Sequence, residues 1–347
     1  MLQFTLKVVE IRQETSDTLT ICFKQPGIKK IKYFAGQYLT LVLRINNRRY
    51  FRPYSFSSAP GIDSTLNITV KKVPGGVVSN YIANHIKTGD TVEVLEPMGN
   101  FTLENKNISN NNQLVFWGAG SGITPLYSII KHALNNNLAK HVTLIYGNRN
   151  CDNTIFNQEI IDLQKKYSTS FSVWYFHTDF KTDRINSAII KGRIDVQRIV
   201  EILKTGDELN NTFHFLCGPD GLTKSVEVAL KNEGVSQQCI YTESFELVIN
   251  PEYFEEIITQ HVLFKKAGEE YNVEVTKGKT LLEAGLDAMI DLSYSCQTGS
   301  CLLCKAKLVS GKLKVIKSSE NTKMLETDEH LLCCSLPATN DVELLVS

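Results

Sequence analysis

The spacing of four cysteines constrains this chain more than any other feature. Cys296, Cys301 and Cys304 lie within nine residues of one another in SCQTGSCLLC, with the spacing C-x4-C-x2-C. Cys333 follows 29 positions after Cys304, in LLCCSLP, with Cys334 directly beside it. Thiols crowded in this way, in a chain of this size, point to metal or cluster chemistry. The sequence therefore predicts a C-terminal module built around an inorganic centre.

The same spacing also indicates which kind of inorganic centre the cysteines bind. C-x4-C-x2-C with a distant fourth cysteine is the plant-type [2Fe–2S] spacing. A four-cysteine zinc site commonly uses two C-x2-C pairs, and only Cys301 and Cys304 form such a pair here. Clustered structural cysteines that bind nothing are a third interpretation. Gly299 lets the backbone approach a cluster closely because it has no Cβ. We expect a [2Fe–2S] cluster.

Length and charge exclude several classes of function. The chain has 347 residues, and its 37 basic and 37 acidic residues give no net charge, so a nucleic-acid partner is not expected. The N-terminus alternates apolar and polar residues and does not resemble a secretion signal. No window of 18 apolar residues is present, so no membrane association is expected. A cytoplasmic protein, in which the nine cysteines stay reduced, is predicted.

The pattern of apolar and polar residues changes twice along the chain. Short alternating strands with turn residues predict an antiparallel β-barrel domain over 1–110. Buried apolar runs that alternate with helical patterns predict an α/β domain with a parallel sheet over 111–247. A linker over 248–259 and a small α+β domain over 260–347 follow. In that last domain, KAKLVSGKLKVI is predicted to form a hairpin around Ser310-Gly311.

Glycine-rich turns follow three of the predicted buried strands. The first, WGAGSGITP, contains Gly118, Gly120 and Gly122 before a helical pattern, although it is not a full G-x-G-x-x-G. YGNRN and CGPDGL end two later strands. Because the carboxyl ends of parallel strands meet at one edge of a sheet, these turns predict one nucleotide crevice.

Arg149, in the YGNRN turn, has two interpretations. It is placed to meet an adenosine 2′-phosphate, which favours NADPH, or it is a solvated loop charge. No acidic residue stands out for a ribose 2′-hydroxyl, so NADPH is expected rather than NADH.

A second candidate binding motif lies in the N-terminal domain. RPYSFSS places Arg52, Tyr54 and Ser55 in one strand, and GGVVSNY places Gly76 and Ser79 at G-x-x-S spacing. The planar fork of an arginine suits a phosphate, as do backbone N–H groups at a helix start. By itself the first motif is equally typical of an exposed strand.

The C-terminal segments resemble plant-type ferredoxins, which have a β-grasp fold. TLLEAGLDAMIDLSYSCQTGSCLLC is similar to their helix and cluster loop, and LLCCSLPATNDVEL is similar to their closing segment. In that family the last ligand precedes a proline by four positions, so Pro337 selects Cys333 rather than Cys334. The resemblance thus implies four ligands: Cys296, Cys301, Cys304 and Cys333. Leu302-Leu303 departs from the small or polar pair usual there, which implies a more apolar cluster edge.

The motifs FAGQYLTL, RPYSFSS, GGVVSNY and EPMGNF together resemble the flavin-binding barrel of the ferredoxin–NADP reductase family. The resemblance implies that Arg52 pairs with the pyrophosphate, Tyr54 packs on the isoalloxazine and Ser55 lies near its N5. It also implies phosphate contacts from Gly76, Val77, Val78 and Ser79. FAD is favoured over FMN by the G-x-x-S step and by the domain order.

The same resemblance extends to the nucleotide domain. It implies that Thr124 and the turn Cys217-Gly218-Pro219 lie beside the nicotinamide. Glu243 and Phe245, in ESFEL, are implied to approach the flavin edge. Ser55, Cys217 and Glu243 are the predicted catalytic positions. No carboxylate pair or nucleophile–base spacing stands out, which is consistent with hydride transfer, a reaction that depends chiefly on alignment. His214, inside an apolar strand, is interpreted as a core histidine.

The domain order resembles the reductase components of bacterial multicomponent oxygenases. It implies transfer of a hydride from NAD(P)H to FAD, then of single electrons to a [2Fe–2S] cluster and on to a partner protein. That partner is expected to be an oxygenase component or a small redox carrier such as ferredoxin or flavodoxin. A redox sensor without turnover and a zinc-stabilised flavoprotein are the alternatives.

Overall fold

The computed structural model of the chain describes residues 2–27, 30–179, 189–204, 211–247, 249, 251–316 and 324–346. The chain divides into two compact units. The first unit comprises Met1–Leu41 and Tyr54–Ser244, and the second comprises Val42–Pro53 and Phe245–Ser347. No described helix has the length and apolar character needed to cross a membrane.

The N-terminal domain is built on a six-stranded sheet. Its strands are β1 Gln3–Thr15, β2 Thr18–Lys24, β3 Tyr38–Ile45, β4 Arg48–Ser55, β5 Thr65–Lys71 and β6 Thr91–Leu95. They are ordered β4-β3-β6-β1-β2-β5, with antiparallel pairing of β1 to β2 and β6 and of β2 to β5. The register of β1 on β2 shifts between Val8 and Glu10, a bulge that bends the long strand. Helix α1, Val77–His85, follows β5. The predicted antiparallel fold of this domain is confirmed.

The nucleotide domain has a six-stranded sheet of order β10-β9-β8-β7-β11-β12. The strands are β7 Gln113–Ala119, β8 His141–Asn148, β9 Phe171–His177, β10 Ile189–Lys191, β11 Thr212–Cys217 and β12 Ile240–Glu243. Every pairing is parallel, as the buried apolar runs predict. The helices are α2 Ile123–Asn135, α3 Asn157–Lys166, α4 Val196–Lys204 and α5 Asp220–Asn232.

This parallel sheet has a hydrophobic core on each face. Because side chains alternate along a strand, Phe116 belongs to one core, with Leu126 of α2, and Trp117 to the other, with Val226 of α5. His214 is fully buried in β11. Trp117 Nε1 donates to its Nδ1 at 3.2 Å, and burial lowers the pKa of His214 to about 3. The interpretation of His214 as a neutral core residue is therefore confirmed.

The C-terminal domain contains a five-stranded mixed sheet and a two-stranded sheet. Its elements are β13 Gln260–Lys266, β14 Glu269–Val275, α6 Leu281–Asp287, β15 Lys305–Ser310, β16 Leu313–Val315, β17 Glu329–Leu331, β18 Ser335–Pro337 and β19 Glu343–Val346. The larger sheet has the order β14-β13-β19-β15-β17, with β13 antiparallel to β14 and parallel to β19. This arrangement confirms the predicted α+β class.

The hairpin predicted around Ser310-Gly311 is wrong. Strand β15 pairs with β17 and β19, whereas β16 pairs with β18 in the smaller sheet. Gly311 has φ +82°, and a Cβ placed on it would lie 2.7 Å from Val342 Cα. The chain therefore turns against the backbone at Val342 and leaves the sheet instead of folding back on β15.

Helix α6 leads directly into the cysteine loop. A capping box fixes its start, because Glu283 N donates to Thr280 Oγ1 at 3.2 Å and Thr280 N donates to Glu283 Oε2 at 2.8 Å. After the helix, exposed residues alternate with the buried side chains of Ile290, Leu292 and Tyr294. This period of two is typical of extended chain with one face on a core.

We predict that Gly36→Ala destabilises the first unit more than Gly61→Ala. Both glycines have positive φ, +96° and +78°, so each alanine costs about 1–2 kcal/mol in backbone strain. Only Gly36 is crowded, since its Cβ would lie 2.0 Å from the Phe101 carbonyl oxygen, whereas nothing lies within 4 Å at Gly61. Overpacking adds about 1–3 kcal/mol. Denaturant unfolding measures both losses, and equal losses would contradict the prediction.

Candidate functional site

The four predicted ligands are brought together in the second unit, where they form two thiol pairs. Cys301 N donates to Cys296 Sγ at 3.3 Å, and Leu332 N, next to Cys333, donates to the Cys304 carbonyl oxygen at 2.9 Å; each pair of thiols also influences the pKa of its members. Among the described residues, no three His, Cys, Asp or Glu side chains surround a position for a single metal ion. Two adjacent two-thiol pairs suit a centre with two irons, each of which takes two thiolates. The residues present therefore fit a [2Fe–2S] cluster.

The loop of residues 296–304, called here the cluster loop, points backbone N–H groups at sulfur. Cys296 Sγ accepts hydrogen bonds from Thr298 N and Ser300 N, each at 3.4 Å, and from Cys301 N at 3.3 Å. Hydrogen bonds from the Cys301 thiol, the Ser300 side chain and Thr298 outweigh burial and lower the pKa of Cys296 to about 4. Stabilising a thiolate in this way favours the form that binds metals.

Positive φ angles shape the same loop. Gln297, Gly299 and Leu302 have φ of 57°, 83° and 62°. Such residues alternate the direction of successive peptide groups, which turns N–H groups toward the inside of the loop. Leu302 and Leu303 are half-buried, as is Cys301, whereas the other three predicted ligands are buried.

Cys334 occupies a different place from its neighbour Cys333. Its Sγ lies 3.6 Å from Cys333 Sγ, and its side chain is buried. A Cβ placed on Gly299 would lie 2.8 Å from Cys334 Sγ. Cys334 therefore packs against Gly299, whereas Cys333 is the cysteine whose thiol most affects the pKa of Cys304.

Three arginines on β4 differ in how their charge is balanced. Arg48 pairs with Asp287 and Arg49 with Asp291, each at 3.5 Å. Arg52 has no carboxylate partner in the part of the chain that the structure describes. An uncompensated guanidinium on a half-buried strand is suited to bind phosphate. Further along β4, Tyr54 is half-buried and Ser55 is buried.

The start of α1 is open to an anion. Gly76 is its N-cap residue, no side chain caps it, and its first turn has no acidic residue. Its first N–H groups, on Val77 and Val78, therefore lack a side-chain partner. Ser79 Oγ accepts a hydrogen bond from Val73 N at 3.1 Å and so holds the preceding turn. Helix α6, with its complete capping box, offers no such site.

The glycine-rich turn before α2 also lacks a side-chain cap, although the first N–H group of this helix, on Ile123, donates to Gly120 O and Ser121 O. Its N-cap is Gly122, without a side-chain cap or an acid in the first turn. A Cβ on Gly122 would lie 2.1 Å from the Cys217 carbonyl oxygen, so this turn packs against the turn after β11. Thr124 is buried and donates to Ser121 O at 2.9 Å. The Tyr146 hydroxyl donates to Gly120 O at 3.1 Å and so holds the turn on the adjacent strand β8.

Three predicted residues lie side by side on neighbouring strands at the carboxyl end of the sheet. Gly118, Cys217 and Glu243 are in register across β7, β11 and β12. Burial, and then the charge of Glu243, raise the pKa of the Cys217 thiol well above its ordinary value. Cys217 is therefore a neutral side chain suited to packing rather than to nucleophilic attack. Gly218 and Pro219 continue from it, and Pro219 is the N-cap residue of α5.

The ends of β8 and β9 complete this edge. Arg149 is exposed directly after β8. The Tyr175 hydroxyl is buried without a hydrogen-bond partner among the described residues, and burial raises its pKa, so it remains a donor. Phe245 is exposed and belongs to the second unit, whereas Glu243 belongs to the first.

Sequence reasoning missed Tyr146, Tyr175 and Tyr294. The first two lie in apolar strands, where a tyrosine has the pattern of an ordinary core residue. Only the position of each hydroxyl at the end of a strand distinguishes them, and that requires the register of the sheet.

Comparison with known families matches the three domains in order. An oxidoreductase FAD-binding domain matches residues 5–103, an oxidoreductase NAD-binding domain matches residues 116–227, and a 2Fe-2S iron-sulfur cluster binding domain matches residues 264–338.

Known proteins resemble the chain over nearly its whole length. A subunit of 1,2-phenylacetyl-CoA epoxidase from Escherichia coli K12 is 31% identical, covering 97% of this chain and 96% of that protein. The ferredoxin reductase component of 3-ketosteroid-9-alpha-monooxygenase from Rhodococcus rhodochrous is 30% identical, covering 98% and 95%. The solved structure of phthalate dioxygenase reductase has the same fold, with a TM-score of 0.66, 20% identity and coverage of 99% and 98%.

The folds, the thiol pairs and these matches define a class of modular flavin and iron–sulfur oxidoreductases that depend on NAD(P)H. The chain belongs to the reductase family that includes this 1,2-phenylacetyl-CoA epoxidase component and the 3-ketosteroid-9-alpha-monooxygenase reductase component.

We predict that Gly299→Ala destabilises the second unit by about 2–4 kcal/mol and lowers its iron content, because strain at φ +83° adds to contact with Cys334 Sγ. Gly278→Ala is the matched control, since its φ is +96° and nothing lies within 4 Å. The control is expected to lose about 1–2 kcal/mol and keep its iron.

The double variant Gly299→Ala with Cys334→Ala separates the two costs at Gly299. It removes the contact and keeps the backbone strain, so part of the lost iron returns. Iron analysis and denaturant unfolding give both quantities, and a double variant worse than Gly299→Ala would refute the packing role of Cys334.

Proposed function

We propose that this chain is the reductase component of an oxygenase, and that it takes electrons from NADPH. When bound, FAD accepts a hydride and the [2Fe–2S] cluster carries single electrons, so the pair converts two-electron into one-electron chemistry. The observation that carries the proposal is the loop that directs three backbone amides at Cys296 Sγ and brings Cys304 beside the segment that contains Cys333.

Cys296, Cys301, Cys304 and Cys333 are the proposed cluster ligands. The low pKa of Cys296 favours the thiolate before iron arrives. Cys334 is excluded from the set because it packs on Gly299. The apolar pair Leu302-Leu303 limits water at this edge of the loop, which affects the potential of a bound cluster.

Arg52, Tyr54 and Ser55 are the proposed flavin residues of β4. The support for Arg52 is its unbalanced charge, in contrast to Arg48 and Arg49. The open start of α1, from Gly76 to Ser79, supplies N–H groups for phosphate. A pyrophosphate spans more donors than a single phosphate, so this set of donors supports FAD over FMN.

The turns at the carboxyl edge of the parallel sheet are the proposed NADPH site. The glycine-rich turn before α2, with Gly118, Gly120 and Gly122, suits a pyrophosphate because it has no side-chain cap and no acid follows in the first turn of the helix, and Thr124 and Cys217-Gly218-Pro219 border the crevice. Ser55, Cys217 and Glu243 are proposed to act at the catalytic centre by positioning. Cys217 keeps its proton, so none of its chemistry competes with hydride transfer.

An oxygenase is the proposed electron acceptor because of the relatives. Two proteins at 30% identity or more are named as parts of an epoxidase and of a monooxygenase. A small carrier such as ferredoxin or flavodoxin is the second candidate. We further propose domain bounds of 1–110, 111–247 and 260–347 with a linker at 248–259. A cytoplasmic location is proposed because all nine cysteines are free.

Absorbance spectra of the purified protein test the proposal. Flavin and [2Fe–2S] bands are expected, and both should bleach when NADPH is added without oxygen. A protein that contains zinc and no iron or sulfide, or bands that do not bleach, would overturn it. Sustained NADPH oxidation with cytochrome c excludes a sensor without turnover.

Adjacent cysteines provide a matched pair of variants. We predict that Cys333→Ser loses the [2Fe–2S] absorbance and most of its iron, because Cys304 then lacks its pairing thiol. Cys334→Ser is expected to keep both, since it only alters packing on Gly299. The flavin bands serve as the internal reference for protein integrity. The opposite pattern would assign the fourth ligand to Cys334.

We predict that Arg149→Gln lowers kcat/KM for NADPH about 10–100-fold and changes that for NADH less than about twofold. A hydrogen bond from arginine to phosphate contributes about 1.5–3 kcal/mol, and NADH has no 2′-phosphate. Steady-state kinetics with both nucleotides measure the ratio. Equal losses with both nucleotides would show that Arg149 does not read the phosphate.

A further inference from the structure

In the second unit, β4 contacts the segment 287–294, which leads from α6 into the cluster loop. Two ion pairs hold this contact, Arg48 Nη2 to Asp287 Oδ1 and Arg49 Nη1 to Asp291 Oδ2, each at 3.5 Å. Asp287 ends α6, and Asp291 projects outward from the alternating stretch that follows. The two carboxylates are placed by the capped helix and by that alternation.

Tyr294 lies at the centre of the same contact. Its ring is buried and meets Phe51 edge to face, with 5.1 Å between ring centroids. Its hydroxyl oxygen accepts hydrogen bonds from Phe51 N at 3.3 Å and from Arg52 Nη1 at 3.5 Å. Tyr294 is two residues before Cys296, the first cysteine of the cluster loop.

These bonds fix one edge of the Arg52 guanidinium. Nη1 also donates to the Phe51 carbonyl oxygen at 2.8 Å. Among the described residues, Nη2 and Nε of Arg52 have no hydrogen-bond partner. A guanidinium held through Nη1 presents its other N–H groups in a fixed direction, which lowers the entropy lost when a phosphate binds.

We propose that Tyr294 is a positioning residue shared by both cofactor sites: it orients Arg52 for the flavin phosphate and anchors the start of the cluster loop on β4. The inference rests on the proposed function in two respects, the assignment of Arg52 to the flavin and of the cluster loop to the [2Fe–2S] cluster. We call the contact of Arg48, Arg49, Phe51 and Arg52 with Asp287, Asp291 and Tyr294 the Tyr294 junction.

The Tyr294 junction depends on several weak contacts that act together. Its hydrogen bonds to Tyr294 are longer than the usual N–H···O distance. Asp287 and Asp291 are 51% and 66% exposed, so their ion pairs contribute little individually and weaken in salt. Single substitutions therefore have modest effects, and combined substitutions have larger ones.

The decisive variant is Tyr294→Phe in the full-length holoprotein. It removes the hydroxyl and keeps the ring against Phe51. Tyr271→Phe is the matched control, because Tyr271 is in the same domain and, among the described residues, its hydroxyl has a hydrogen bond to Glu269 alone. Asp287→Asn with Asp291→Asn is the second route, which weakens the Tyr294 junction without altering Tyr294.

Four measurements are made on each variant. Hydrogen exchange of the Phe51 amide reports the bond to Tyr294, and its protection is expected to fall about fivefold in Tyr294→Phe. The FAD dissociation constant is expected to rise about threefold, because Arg52 is less well oriented. In single-turnover mixing with NADPH, cluster reduction is expected to slow about fivefold while flavin reduction keeps its rate. The cluster spectrum is expected to stay unchanged, and Tyr271→Phe to match the wild type.

The outcomes separate this inference from the proposed function. Unchanged Phe51 exchange in Tyr294→Phe would overturn the contact. Lower protection with an unchanged FAD dissociation constant and unchanged cluster reduction would reduce Tyr294 to a structural role and overturn the inference. A wild-type protein that binds no FAD would refute the proposed function. The aspartate pair variant should reproduce the slower cluster reduction, and added salt should slow the wild type toward it.

Discussion

The C-terminal domain depends on one constraint: the three cysteines of the cluster loop must lie close to Cys333. Polar groups cannot be buried without partners at low cost, and here the partners are the thiols themselves and backbone amides. Cys296 Sγ receives three N–H groups, and residues with positive φ direct those groups inward. Helix α6 and parts of the sheet lead directly into or out of a cysteine, so the positions of the cysteines restrict where these elements can lie. The spacing of the cysteines and the fold of the domain therefore depend on each other.

The helices differ in whether a side-chain cap or an acidic residue stands at their start. Helices α1 and α2 begin after glycine, with no side-chain cap and no acid in the first turn. Helix α5 has Asp220 in its first turn, and α6 has a complete capping box. A cap stabilises a helix but occupies the N–H groups that would otherwise bind an anion. Helices α1 and α2 thus combine the lack of a side-chain cap with the lack of an acid in the first turn, whereas α5, which also has no side-chain cap, has Asp220 there.

Much of this organisation is readable from the sequence, for reasons that are local. Strands β7, β8, β9 and β11 are continuous apolar runs, and a run of that kind predicts a strand covered on both faces. The cysteine spacing is also local apart from Cys333. The hairpin at Gly311 failed because the competing contact, with Val342, lies 31 positions away and has no local signal. Tyr294 was missed for the same reason, since its partners on β4 are more than 240 positions distant.

The neighbourhood of Cys334 has a consequence for how the protein matures. Before iron and sulfide are inserted, five reduced sulfurs share one small region, two of them on consecutive residues with 3.6 Å between their Sγ atoms. Cys301 is the half-buried member of this group, whereas Cys296 is the one whose pKa is lowered, so exposure and thiolate character, which together set how readily a cysteine is oxidised, fall on two different residues. A disulfide between any two of these sulfurs would remove thiols that the centre requires, so its assembly depends on keeping the whole group reduced.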